Sequence, residues 1–192
     1  MRQTEWRRIA KSLLPAAPEF ELHKIGLIKR HPWFPEIVLG YSVSRRDAFY
    51  LEAFVMPLFI PSEDVYLDYG FRIGDLWSTT VTEEMLDAVR SAMPRLHSLA
   101  TKDGLLGMTT DWPINIHRAE VRLGLSILDE DLMGIRTIAE AVADWDIADG
   151  WVEPVVARCQ DLISIVEQSG VVAARARLEQ HRRDVERLLG VP

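Results

Sequence analysis

In this 192-residue chain, one group of residues that could do chemistry is a run of carboxylates in its second half. Residues 129–153 contain eight acidic residues and one basic residue, Arg136. Because opposite charges steer two proteins together, this acidic run predicts a surface that binds a basic protein partner. The partner-binding candidates are Asp129, Glu130, Asp131, Asp144, Asp146, Asp149 and Glu153. The alternative is a solvated face whose acids only cap helix ends.

A second candidate site is a polar and partly aromatic face of a predicted β-hairpin. If residues 48–56 and 65–73 are paired strands, their even-numbered side chains share one face of the sheet. That face would present Tyr50, Glu52, Tyr66, Asp68 and Arg72. These side chains could line a ligand pocket or, with His23 or His31 nearby, serve a small enzyme. The alternative is again a solvated face.

Metal and thiol chemistry have weaker support. His117 and Glu120 lie three residues apart on a predicted helix, as do His181 and Asp184. Such pairs supply two ligands, whereas a metal site needs three or four, so we expect no metal. Cys159 lies within an apolar helical stripe, where burial would raise the pKa of its thiol, so we interpret it as a core residue.

No segment assembles a nucleophile with its base and oxyanion donors, and none resembles a phosphate-binding glycine loop. His97 and Ser98 are adjacent, and adjacent residues on a helix do not face each other. We therefore expect a non-catalytic protein without a cofactor. An enzyme that uses Glu52, Asp68 and Arg72 is the alternative.

The elements that must position these residues begin with alternating strands. From residue 49 to 55 every odd position is apolar, and the same holds from residue 65 to 73, which predicts two strands. Shorter alternating rows predict strands near residues 20–25 and 37–43. An apolar stripe at helical spacing predicts a helix over residues 3–14. This pattern predicts a four-stranded, largely antiparallel sheet between residues 19 and 74.

After Trp77 the apolar period changes to that of a helix. A helix over residues 82–99 should be capped by Thr80 or Thr82 and kinked or split at Pro94. Residues 101–113 are typical of a loop, and further helices are predicted near 116–127, 132–145, 152–166 and 171–189. The expected fold is α+β, with a sheet domain over 1–100 and a helical C-terminal region over 101–192 packed on it as one compact unit.

The amino-acid composition limits which classes of partner the protein could bind. The net charge is −7 and the isoelectric point about 5.3, which disfavours nucleic acid and anionic membranes because both need a basic surface. Residues 101–192 hold 10 basic against 16 acidic residues, a net charge of −6. A single cysteine and the lack of a signal peptide or long apolar run predict a soluble, cytoplasmic protein. The sequence does not specify the oligomeric state.

The order of elements supplies a resemblance. An N-terminal helix, a strand near FELHKIGLIKR, alternating strands through FYLEAFVMPLFIP and a helical second half resemble the bacterial domain-of-unknown-function family 4304. The chain is also similar to small acidic immunity proteins of bacterial polymorphic toxin systems. The similarity covers residues 1–100 and brings no catalytic residues with it. It implies a bacterial immunity-like protein whose partner is a basic toxin.

Overall fold

The computed structural model describes residues 3–42, 48–61, 69–108, 116–143, 145 and 152–190. The chain divides into two compact units. The first combines residues 1–57 with 64–104, and the second combines residues 58–63 with 105–190. Residues 58–63 are thus grouped with the C-terminal helices.

The first unit contains a five-stranded sheet in the order β1-β2-β3-β4-β5, in which all neighbours are antiparallel. The strands are β1 Glu21–His23, β2 Gly26–Lys29, β3 Glu36–Ser42, β4 Ala48–Val55 and β5 Gly70–Ser78. The expected α+β class is confirmed, and the count of four strands is wrong. The predicted strand over 20–25 is divided by a turn at Lys24 and Ile25, which folds the chain into a tight hairpin.

β4 provides the centre of the first unit's core. Its odd-numbered side chains, Phe49, Leu51, Ala53 and Val55, are fully buried, as the alternation predicts. The first helix, α1 (Gln3–Leu13), buries the predicted stripe of Trp6, Ile9, Ala10 and Leu13. Trp6 meets the ring of Phe49 edge-on, with the ring centroids 6.2 Å apart. A short 3-10 turn, Leu14–Ala16, ends this helical segment at its prolines.

β5 contains a bulge that the alternation does not predict. Tyr50 pairs with Leu76 but Leu51 pairs with Ile73, so Gly74 and Asp75 are extra residues on β5. Gly74 has a φ of +66°, and a Cβ there would lie 2.4 Å from the Trp77 ring. The Trp77 indole N–H donates to the Ile73 carbonyl at 2.6 Å and closes the bulge. The predicted end of the strand at Ile73 is therefore wrong, and residues 65–68 lie outside the described residues.

The helix after the sheet has almost the bounds expected for it and is not divided. α2 (Glu83–Leu99) begins at Thr82, whose hydroxyl accepts the Met85 N–H at 3.3 Å. The helix is continuous through Pro94, whose side chain is exposed, so it is not split there. Part of the predicted loop 101–113 is instead helix α3, Lys102–Met108, whose start is capped when Thr101 accepts the Gly104 N–H at 3.0 Å.

The second unit is helical, as predicted for the C-terminal half. Its main helices are α4 Ile116–Leu128, α5 Leu132–Ala143, α6 Glu153–Ser169 and α7 Val171–Leu189. Most of the predicted stripe residues are buried, but Leu188 is 57% exposed. Leu58, Phe59 and Ile60 are buried with these helices. Among the helices of the described residues, none is long and apolar enough to cross a membrane.

We expect Gly124→Ala to destabilise the second unit by about 1–3 kcal/mol, because the new methyl group would overpack the core. A Cβ at Gly124 would lie 2.2 Å from the Phe59 ring. Urea unfolding, read by pulse labelling of the single and buried Cys159, measures the change. Gly107→Ala is the matched control, since nothing lies within 4 Å of a Cβ there. Equal stability of Gly124→Ala and the wild type would contradict this packing.

Candidate functional site

Three of the predicted pocket residues lie together on the sheet. Glu52 and Arg72 are directly opposite on β4 and β5, and the Arg72 Nε donates to Glu52 Oε1 at 3.3 Å. The Arg72 guanidinium also lies 3.6 Å from the centroid of the Tyr50 ring. Both contacts stabilise the strand pair and engage the cation. Tyr66 and Asp68 lie outside the described residues.

The two histidines expected near that face serve local turns. The His31 Nδ1 accepts the N–H groups of Trp33 at 3.2 Å and Phe34 at 3.1 Å, and its ring stacks on Phe34. Burial lowers the pKa of His31, which favours the neutral imidazole that can accept these bonds. His23 accepts the N–H of Ile25 in the β1–β2 turn.

The first cluster of the predicted acidic surface forms the turn between α4 and α5. Asp129, Glu130 and Asp131 are all exposed. The Asp131 Oδ1 accepts the Gly134 N–H at 3.0 Å, so Asp131 caps α5 as the sequence suggests. Glu153 is exposed in the first turn of α6. Asp144, Asp146 and Asp149 lie outside the described residues.

Two large apolar side chains directly follow these acids, a feature that the sequence analysis did not use. Leu132 is 63% exposed and Met133 is 72% exposed. We name residues 129–133 the acidic tip. The Glu130 carboxylate lies 4.0 Å from the Arg175 guanidinium of α7, a long and weak contact between exposed groups. The acidic tip therefore combines exposed negative charge with exposed apolar surface.

A connected polar group in the described part of the first unit was missed by sequence reasoning. We name Glu19, Lys29, Glu36 and His97 the polar quartet. Lys29 Nζ lies 2.7 Å from Glu19 Oε2 and 3.4 Å from Glu36 Oε1. His97 Nε2 lies 2.6 Å from Glu19 Oε1, and its Nδ1 contacts Glu36 Oε2. The two carboxylates thus share one ammonium group and one imidazole.

Contacts within the polar quartet favour the charged forms of Glu19 and Lys29. The hydrogen bond from Lys29 holds the pKa of the Glu19 carboxyl below its usual value, with His97 adding to the effect. Burial disfavours the Lys29 ammonium, but Glu19 and Glu36 outweigh it, so the pKa of Lys29 is raised. Lys29 and Glu36 lie opposite each other on β2 and β3, so a correct prediction of the strand register would have placed them together. His97 is distant in sequence, and no local signal pointed to it.

The residues considered for metal or thiol chemistry have other partners. Glu120 is buried and accepts two hydrogen bonds from Arg158, at 2.6 and 3.0 Å. Asp184 accepts from Gln180 at 3.0 Å. Burial raises the pKa of the Cys159 thiol to about 12, as expected for a core residue. Across the described residues, no three His, Cys, Asp or Glu side chains form a group that could hold a metal, and the His117 side chain lies outside them.

Comparison with known proteins adds no relative. No protein-family model, curated protein or solved structure matched the chain. The resemblance to the family of unknown function and to immunity proteins therefore stays a prediction from the order of elements.

We expect Arg158→Met to destabilise the second unit by about 3–5 kcal/mol, because it would leave the Glu120 carboxylate buried without its partner. Arg136→Met is the matched control, since the Arg136–Glu140 pair at 3.3 Å is exposed and should be worth less than about 0.5 kcal/mol. Urea unfolding with Cys159 labelling compares the two variants. Similar losses of unfolding free energy in the two variants would contradict the prediction that burial of Glu120 makes the loss of its partner costly.

We also expect the second unit to lose stability as the pH falls below about 6.5, the usual pKa of histidine. His181 donates to the Phe59 carbonyl at 3.3 Å, and burial, with Arg177 next, lowers its pKa. The unfolded chain therefore binds the proton first, which favours unfolding in acid. His181→Gln keeps a donor without titrating, and should be less sensitive between pH 7.5 and 5.5. Unfolding is followed by labelling Cys159 with a thiol reagent that also reacts at acidic pH. Equal losses of stability in His181→Gln and the wild type over this pH range would contradict the prediction.

Proposed function

We propose that this protein is a non-catalytic binding protein whose acidic tip contacts a basic protein partner, as an immunity protein contacts its toxin. One observation carries the proposal. Five consecutive exposed residues combine three carboxylates with two large apolar side chains, Leu132 and Met133. Isolated exposed apolar residues are common, but an adjacent pair rimmed by charge is typical of an interaction surface.

The backbone of the acidic tip is held in one shape. The Asp131 N–H donates to the Ser126 carbonyl at 2.9 Å, and the Glu130 N–H donates to the Ile127 carbonyl at 3.2 Å. Glu130 has a φ of +59°, a left-handed conformation that costs a non-glycine residue about 1–2 kcal/mol. A turn ordered before binding loses little conformational entropy when a partner docks.

Charge supports a basic partner. The chain carries a net charge of −7, most of it in residues 101–192. Carboxylates at the acidic tip would accelerate the encounter with a cationic surface and would do so less at high salt. A nuclease-like toxin fits this requirement, because proteins that bind nucleic acid neutralise its phosphates with lysine and arginine.

The alternative function is ligand binding or catalysis on the sheet face. Its support is that Tyr50, Glu52 and Arg72 lie together there. Arg72 already contacts both the carboxylate and the aromatic ring, so a ligand would have to compete with these contacts. Arg72→Ala distinguishes the two functions, because it should leave binding at the acidic tip unchanged.

The test is a pull-down from the native host at low salt, followed by titration of the purified partner. We expect Asp129→Asn, Glu130→Gln and Asp131→Asn together to weaken binding at least about tenfold, equivalent to ~1.4 kcal/mol. Asparagine at position 131 still caps α5. Asp144→Asn, Asp146→Asn and Asp149→Asn form a second arm that tests the rest of the predicted surface.

The matched control removes the same charge from the first unit. This control combines three substitutions of exposed residues at the start of α2, Glu83→Gln, Glu84→Gln and Asp87→Asn. It should change binding little. Equal affinity of the acidic-tip variant and the wild type would exclude the acidic tip as the binding site. An equal loss in the control would show that only net charge matters.

A further inference from the structure

The carboxylate of Glu19 is one of the two that the donors of the polar quartet contact. Each of its oxygens receives one donor, Oε2 from Lys29 Nζ at 2.7 Å and Oε1 from His97 Nε2 at 2.6 Å. Glu36 contacts the same two donors, Lys29 Nζ at 3.4 Å and the His97 Nδ1. Each donor therefore contacts two carboxylates, the exposed Glu19 and the buried Glu36.

The four residues differ in how firmly the fold holds them. Lys29 lies on β2, Glu36 on β3 and His97 on α2, and the Glu36 side chain is only 7% exposed. The His97 ring also packs near-parallel to Phe20, with the ring centroids 6.4 Å apart. Glu19 instead lies in the turn before β1, and its side chain is 45% exposed. Glu19 is thus the one member that can leave without disturbing a strand or helix.

We propose that Lys29 and His97 form a binding site for the carboxylate of a small organic acid, which Glu19 occupies until such an acid displaces it. Both donors remain about one-third exposed, so a ligand can approach them from solvent. The site is separate from the acidic tip and does not depend on the partner-binding function.

The chemistry of the site selects a carboxylate. Two donors match two oxygens in one plane, the geometry in which a carboxylate accepts hydrogen bonds. A monoanionic carboxylate in place of Glu19 carries the same charge, so it leaves the charge balance beside Lys29 and Glu36 unchanged. A phosphate dianion would add charge beside the buried Glu36, and a metal cation would meet Lys29.

Glu19 acts as a tethered competitor for its own site. A group tethered by a short segment has an effective concentration of about millimolar or more, so a free acid must exceed that level to replace it. Removing the Glu19 carboxylate should therefore strengthen the binding of a free carboxylate at least about tenfold, equivalent to ~1.4 kcal/mol.

The experiment titrates sodium acetate into the full-length protein at constant ionic strength and follows the His97 ring resonances by NMR. We expect saturable shifts in Glu19→Ala, with a dissociation constant at least tenfold lower than in the wild type. Glu19→Gln, which keeps the side-chain volume, should give a smaller gain in the same direction. Inorganic phosphate should bind Glu19→Ala more weakly than acetate.

Two further variants decide between a site and a nonspecific effect. Lys29→Met added to Glu19→Ala should abolish the saturable shift. Glu21→Ala, which removes an exposed neighbouring carboxylate paired with Arg30 at 3.1 Å, should bind acetate as the wild type does. No saturation in Glu19→Ala, or an unchanged dissociation constant after Lys29→Met, would overturn the proposal. Circular dichroism confirms that each variant is folded.

Discussion

The first unit depends on the burial of β4 between two neighbouring strands. β4 pairs with β3 along one edge and β5 along the other, and its odd-numbered side chains are excluded from water. Burial of a large apolar side chain contributes about 1.5–3 kcal/mol, and Phe49 and Leu51 each make such a contribution. Because its side-chain period is two, a one-residue slip of β4 would turn this row to the opposite face. The register brings Glu52 opposite Arg72.

Buried carboxylates impose the second constraint on both units. Glu36 and Glu120 are the buried acids among the described residues, and each has a cationic partner. Glu120 receives a two-pronged guanidinium, which satisfies both oxygens with one side chain. Glu36 instead shares Lys29 and His97 with the exposed Glu19. An arrangement with a replaceable member is better suited to binding than a closed pair.

The exposed acids obey a different rule. At the acidic tip the three carboxylates are exposed, and Asp131 caps α5. Exposed charges add little to folding stability, and they attract an oppositely charged partner at long range. Leu132 and Met133 add surface that water solvates poorly. The acidic tip thus differs from the buried carboxylate pairs: its charge and apolar surface are exposed, whereas the buried pairs serve the fold.

The sequence by itself determined the features that depend on local period and capping. Alternation predicted β4, the helical stripes predicted α1, α2 and the C-terminal helices, and Thr82 marked the start of α2. The alternation could not reveal the turn at Lys24 and Ile25, since a short hairpin and a single strand have similar patterns. Only the tertiary structure decided the β5 bulge and the meeting of His97 with Glu19 and Glu36. The bulge depends on how β5 pairs with β4, and His97 is more than 60 residues from Glu36, so neither has a local sequence signal.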